Sequence, residues 1–247
     1  MMGSTHSATG SLAGVVVAGL LGDAGIVELA TGAAVGAGAA LLPDLDHPVS
    51  TATRSQGPAS RTACSGLRAL SGAVFQATRT RYDDGCEDDG GQHRHLTHTL
   101  PACAAVGTGV WAAASHWVGA AVALWLLVSL GLRGLGQCLT GKDRRELSQW
   151  TTVSVGAGLA ATVVMVAAPP APVVLGMVVG VGMVVHILGD WLTPQGVSLA
   201  WPLVHRGKRW WMFRSPVAFK AGDCWQETAV RWVCWSGTPL TAAWAIM

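Results

Sequence analysis

Two long runs without charge constrain this chain more than any other feature: Thr99 to Leu132 and Leu147 to Val185 contain no Asp, Glu, Lys or Arg. Each exceeds the roughly 20 residues that one helix needs to cross a bilayer. The second run is interrupted by Ala167-Ala-Pro-Pro-Ala-Pro172. Proline removes backbone donors and disfavours a helical residue before it, so a turn between two spans is expected there. The first run is expected to fold back near Ser115-His116-Trp117, and a shorter apolar pair, Ser11 to Gly22 and Leu29 to Pro43, precedes both. Composition points the same way. Of 247 residues only 16 are Lys or Arg and 14 are Asp or Glu, against about a quarter charged in a typical soluble domain. A net charge of +2 with scattered basic residues excludes a nucleic-acid binder. The reading is an all-α polytopic membrane helical bundle, a single domain over 1–247 with about six apolar spans in hairpin pairs.

The charged segments lie between these spans. Pro48 to Arg94 holds six arginines, Arg133 to Glu146 four basic residues, and Arg206 to Arg231 six. The positive-inside tendency puts all three on the cytoplasmic face of a cell-membrane protein, which requires an even number of spans between each pair. Residues 48–92 read as a polar loop, including the acidic, glycine-rich Asp83 to Gly91, which lacks the ligand spacing of an EF-hand. Residues 117–168 read as an extra helical hairpin. Residues 201–247 read as an interfacial tail, because tryptophans alternate there with Arg206, Lys208, Arg209 and Arg214. No Lys or Arg precedes Arg54, so the opening apolar stretch lacks the basic front of a secretory signal and is expected to stay in the mature protein. Gly32, Gly36, Gly38, Gly176 and Gly180 are placed to let helices approach closely in lipid. The six cysteines show no paired spacing and read as small buried hydrophobes.

Ionisable groups at the ends of apolar helices are costly without partners, and so are functional candidates. His6 opens the first helix. Asp44 and Asp46, in Leu41-Leu-Pro-Asp-Leu-Asp-His-Pro48, close the second. His93, His95 and His98 open the third, and His186 and Asp190 close the last apolar hairpin. With paired spans all these ends fall on one membrane face, where distant side chains can converge. His186 and Asp190 are four apart, on one face of a helix. Imidazole and carboxylate are donors for zinc, with manganese or iron also compatible. His116 and His205 read as interfacial or hydrogen-bonded residues outside the site.

These blocks resemble the membrane-bound, metal-dependent hydrolases also described as LexA-regulated inner-membrane-associated hydrolases. The likeness rests on His6, the block at 41 to 48, His93-Arg-His-Leu-Thr-His-Thr99, His186-Ile-Leu-Gly-Asp-Trp-Leu-Thr-Pro-Gln-Gly196 with Trp201-Pro202, and a looser match near Lys220 to Glu227. That family usually has Gly where this chain has His95, so His95 is an extra ligand or a neutral replacement. A fainter likeness, in the spacing from His186 to Pro194, is to zinc-dependent phospholipase C, whose later ligands have no counterpart after the proline.

The resemblance implies a hydrolase without fixing its substrate, and the expected reaction is hydrolysis of a phosphoester, such as a phospholipid-like headgroup in the surrounding lipid. A divalent metal, foremost zinc, would be held by His6, Asp44, Asp46, His93, His98, His186 and Asp190. Asp46 is placed as a candidate general base and Arg94 as a clamp for phosphoryl charge. Thr97 and Thr193 are expected to hydrogen-bond the ligands. Two rival readings are a membrane scaffold with a structural metal and an ion transporter. The transporter is disfavoured because the polar groups gather at helix ends and not at mid-span.

Overall fold

The computed structural model describes residues 1–22, 25–83, 90–222 and 224–247. Most of the acidic Asp83 to Gly91 stretch, Cys86 with it, lies outside the described residues. The apolar runs fold as helices broken where proline, glycine and small polar residues predict. Helices α1 (Gly3–Leu21) and α2 (Ile26–Ala39) form the first pair. After the surface helix α3 (Gly57–Thr78) come α4 (Leu100–Ala114) and α5 (Trp117–Gly136), joined at Ser115-His116. A short polar helix α6 (Gly141–Ser148) leads to α7 (Trp150–Ala167). The proline-rich turn then gives α8 (Pro172–Trp191), with Pro172 in its first turn, where a missing N–H costs nothing. An irregular segment reaches the last helix, α9 (Trp225–Ile246).

Among the described residues, four helical segments are long and apolar enough to cross a membrane: Ile26–Asp46, Trp117–Gly136, Trp150–Ala167 and Pro172–Trp191. The expected count was about six. The difference lies in α1, whose first half carries Ser4, Thr5, His6, Ser7, Thr9 and Ser11, and in α4, which has 15 residues. At 1.5 Å per residue α4 reaches about 22 Å, short of a hydrocarbon core of about 30 Å.

Glycine sets the closeness of the packing. On α1, Gly10 and Gly14 face Gly32 and Gly36 on α2, and a Cβ at Gly36 would lie 2.9 Å from Gly14 Cα. Gly38 lies against the α5 backbone, where a Cβ would meet the Leu127 carbonyl carbon at 2.7 Å. Gly107 of α4 fits between Gly176 and Gly180 of α8. With no hydrophobic drive between helices in lipid, this backbone-level contact supplies the packing. The largest buried cluster joins α2, α5, α7 and α8 through Val35, Leu124, Leu127, Ala157, Leu175 and Val179.

The stretch read as a polar loop contains α3 instead. Its buried residues are Gly57, Cys64, Ser71 and Phe75, a single stripe at helical spacing. The stripe is built mostly from small residues, so it carries little hydrophobic signal. α3 lies against the turns at Pro43–Asp46 and Leu96–His98. The tail also takes a more definite path than expected. α9 packs along α1 in parallel, with Arg231 beside Ser4 at one end and Ala245 beside Gly19 at the other. All 16 Lys and Arg residues fall in, or within two turns of, the connections at one end of the bundle, after α2, α5 and α8.

Of the cysteines, Cys64, Cys103 and Cys234 are buried, Cys138 is exposed, and Cys224 caps α9 by accepting from the Glu227 amide; none of these five is disulfide-bonded.

Candidate metal centre

The helix ends that carry these residues meet at one end of the bundle. α8 places His186 and Asp190 one turn apart, with Nε2 3.6 Å from Oδ2. α1 lays the His6 ring on His186, with centroids 3.8 Å apart and planes 20° apart, and His6 Nε2 is 3.3 Å from Asp190 Oδ1. Gly189 makes room for this, since a Cβ there would stand 3.1 Å from His6 Cε1. The same Asp190 Oδ1 is 2.5 Å from the Met1 amino group.

The end of α2 orients the site in two ways. The Ala40 carbonyl, which has lost its helical partner, lies 2.7 Å from His186 Nδ1. That nitrogen must donate, so Nε2 presents its lone pair to the site. The following 3₁₀ turn, Pro43–Asp46, then sends its two aspartates to different places. Asp44 Oδ1 comes within 3.8 Å of His186 Nε2. Asp46 is buried and turns away: Oδ1 is 2.6 Å from His93 Nδ1, and Oδ2 accepts from Thr97 Oγ1 at 2.5 Å and from the Arg94 amide at 3.2 Å.

Because Thr97 Oγ1–H is given to Asp46, its oxygen accepts from His98 Nδ1, 2.9 Å away. His98 is thereby held with Nε2 facing His186 Nε2 at 3.2 Å. Two lone pairs that close require a proton or a cation between them. Burial alone would push the His98 imidazole down, but the Asp46 and Asp190 carboxylates outweigh it and push it up to about 9. The potential at this point therefore attracts positive charge.

Among the described residues, two subsets could hold an ion: His6, His186 and Asp190, and Asp44, His98 and His186. Two donors bound tetrahedrally to one zinc at about 2.1 Å stand about 3.4 Å apart. The donor separations here, 3.2 Å for His98–His186 and 3.6 Å for each of these imidazoles to Asp190, bracket that value. The donor set thus fits a divalent cation in number, type and spacing.

Of the predicted ligands, His6, Asp44, His98, His186 and Asp190 come together. Asp46 and His93 stand behind them, Asp46 fixing His98 through Thr97. Both Asp46 oxygens are engaged, which leaves it arranged to position His98 and ill placed to take a proton from water. Arg94 reaches in with NH2 3.1 Å from Asp190 Oδ2, and its other arm donates to Thr193 Oγ1 at 2.9 Å. Its backbone lies in the left-handed region, φ 58°, and Ser198 Oγ donates to its carbonyl at 3.0 Å. Thr193 and Thr97 thus bond the site as expected. His95 is outside it: its ring packs edge-on to Phe75 at 4.8 Å and beside Trp210 at 5.2 Å, in keeping with a replacement that fills space.

A family model described as YdjM inner membrane protein matches residues 1–247. The chain belongs to that family. Membership of the YdjM inner membrane proteins agrees with the apolar helices and establishes a membrane protein. No curated protein and no solved structure matches the chain.

Several contributors in this YdjM member escaped sequence reasoning. The Ala40 carbonyl and Gly189 act through the backbone and leave no side-chain signal. His47, edge-on to His93 at 4.7 Å, sits in the 41–48 block beside the two aspartates, where its position was the available clue. Glu227, buried at the start of α9, accepts from the Met2 amide at 2.5 Å and the Gly222 amide at 2.7 Å. It ties the first turn of α9 to the entry of α1, which carries His6.

Proposed function

We propose that this protein is a membrane-embedded, metal-dependent hydrolase of a phosphoester, with its site at the cytoplasmic end of the bundle. The observation that carries the reading is the meeting of three imidazoles and two carboxylates from four distant segments, with His98 Nε2 and His186 Nε2 3.2 Å apart. The cytoplasmic assignment is supported by the 16 basic residues at that end. In this reading α1 and α4 cross beside the four long apolar helices, which gives the six spans of the hairpin pairs, and α9, packed along α1, would cross with them.

His6, Asp44, His98, His186 and Asp190 would hold the ion, zinc being the best match to the donors. Bound there, a divalent ion lowers the pKa of water and polarises a phosphoryl oxygen. The protein's own groups supply the rest. Asp46 and Thr97 keep His98 in one tautomer, and the Ala40 carbonyl does the same for His186. Arg94, partly exposed between Asp190 and Thr193, places a guanidinium beside the ligands and suits a phosphoryl oxygen as it gains charge. Asp44 is the partly exposed carboxylate of the ligand set, with its side chain at 21%, and is better placed than Asp46 to accept a proton. The partial exposure of Asp44, His93 and Arg94 supports an open, reactive site over a closed structural one.

The test is turnover of phospholipid and simple phosphodiester substrates by the detergent-solubilised protein. Hydrolysis is expected to stop with a chelator, to return with zinc or manganese, and to fall at least about 100-fold in His98→Ala. Turnover unaffected by chelator, or none from metal-loaded protein on any phosphoester, would contradict the proposal.

A further inference from the structure

Helices α4 and α8 run antiparallel and touch at glycine: a Cβ on Gly107 would stand 3.1 Å from Gly180 Cα, and one on Gly176 would stand 2.6 Å from Trp111 Cβ. Contact at backbone level leaves the larger side chains standing to either side of it. They enclose an apolar groove of about 500 Å³, with Leu100, Thr108 and Trp111 on the α4 wall and Val173, Met177 and Val184 on the α8 wall. That volume falls in the range of small-molecule sites, about 300 to 1,000 Å³. Leu100, Thr108, Trp111, Val173 and Met177 are exposed, so the groove opens outward, and in a membrane protein such a face meets lipid.

One end of the groove lies beside the metal centre. Leu100 is two residues after His98, and Val184 is two residues before His186, a rise of about 3 Å along α8. Buried Cys103, also in the lining, belongs to one apolar cluster with Ile187, the residue after His186. From Leu100 to Trp111 the groove follows α4 for about 16 Å, half of a hydrocarbon core of about 30 Å. This is the depth of one leaflet. A lipid of the leaflet on the metal-centre side, with an acyl chain in the groove, would carry its phosphoester at the level of His98, His186 and Arg94. A second apolar groove, of about 580 Å³, lies between α5 and α7 and is lined by Trp117, Trp125, Gly158 and Val166 among others. It follows the first half of α5 and the second half of α7, at the opposite end of the bundle from the ligands.

We propose that the α4–α8 groove is the acyl-chain subsite of the metal centre, and that the substrate class is a lipid phosphoester with at least one long acyl chain, taken from within the bilayer. The substrate role rests on the hydrolase reading; the seating of a chain in the groove does not. Lipid tails are as apolar as the groove, so the gain is one of position: the seated chain holds the ester level with the ion and spares the cost of orienting it there.

Photolabelling of the full chain in detergent, with phosphatidylglycerol bearing a diazirine near the end of one acyl chain, tests the seating. Label is expected in α4 and α8 around Thr108 and Met177, well above that in the α5–α7 groove. In Ala104→Trp/Thr108→Trp, where indoles fill the groove from exposed positions, the α4–α8 label should fall, with metal content and helical circular dichroism as in the parent. Equal labelling of the two grooves, as bulk lipid would give, or unchanged α8 label in the variant, would overturn the proposal. Turnover reads the substrate role. At one detergent concentration the parent is expected to favour long-chain over short-chain phosphatidylglycerol by at least about tenfold in kcat/KM, and the double variant to lose that preference. Equal kcat/KM for both chain lengths in the parent would overturn the subsite. No turnover of either lipid by metal-loaded parent would instead remove the hydrolase reading and the substrate role with it, and the labelling would still decide whether the groove seats an acyl chain.

Discussion

Purified Asp190→Ala protein is expected to retain less than about a tenth of the divalent metal carried by the parent chain. Asp190 is the residue on which the centre converges: His6, His98, His186 and Arg94 all come within 3.1 to 3.6 Å of its carboxylate. Removing it takes a ligand from the ion. It also leaves the Arg94 guanidinium without its acid in a largely buried setting, where such a loss costs about 3 kcal/mol or more. Asp83→Ala provides the contrast. Asp83 is buried too, but it anchors the segment between α8 and α9 through Thr80, Arg209 and Trp210 and not the ligands, so this variant should keep its metal. Elemental analysis of both proteins after identical purification checks the pair. Equal metal in parent and Asp190→Ala would remove Asp190 from the centre.

The second large effect is expected from Gly36→Leu. A Cβ at this position would lie 2.9 Å from Gly14 Cα and closer still to the Gly10 carbonyl. Those are backbone atoms of the facing helix, which no rotamer change can move. α1 and α2 must separate, at a cost of about 3 kcal/mol, and α1 carries His6. Thermal unfolding in detergent should therefore begin several degrees lower, and metal affinity should fall with it. Gly156→Leu is the control, because nothing lies within 4 Å of a Cβ there; it should unfold with the parent. A Gly36→Leu protein as stable as the parent would show that the α1–α2 contact does not set the position of His6.

The hairpin architecture was legible because charge and proline mark where apolar helices end. The breaks at Ser115-His116 and at Ala168 to Ala171 fall where the sequence placed them. The ligands were legible for a related reason: an imidazole or carboxylate beside an apolar run stands out against lipid, as His186 and Asp190 do. What each residue does was less legible. Asp44 and Asp46 look alike in sequence, and only the 3₁₀ turn decides that one faces His186 while the other supports His98 and His93. α3 was hidden because Gly57, Cys64 and Ser71 make its buried stripe without a hydrophobic pattern. The course of α9 could not be read because its tryptophans suit a headgroup layer as well as a helix partner. Packing along α1 settles the path, with Ala242 and Ala245 against Val15 and Ala18.

X-ray absorption at the edge of whichever divalent metal copurifies with the full chain tests the central claim most directly. The account predicts nitrogen and oxygen donors at about 2.0 to 2.2 Å with the outer scattering of at least two imidazoles, lost together in the double variant His98→Ala/His186→Ala. A sulfur shell at about 2.3 Å, or a protein that binds no divalent metal when purified without chelator, would contradict it.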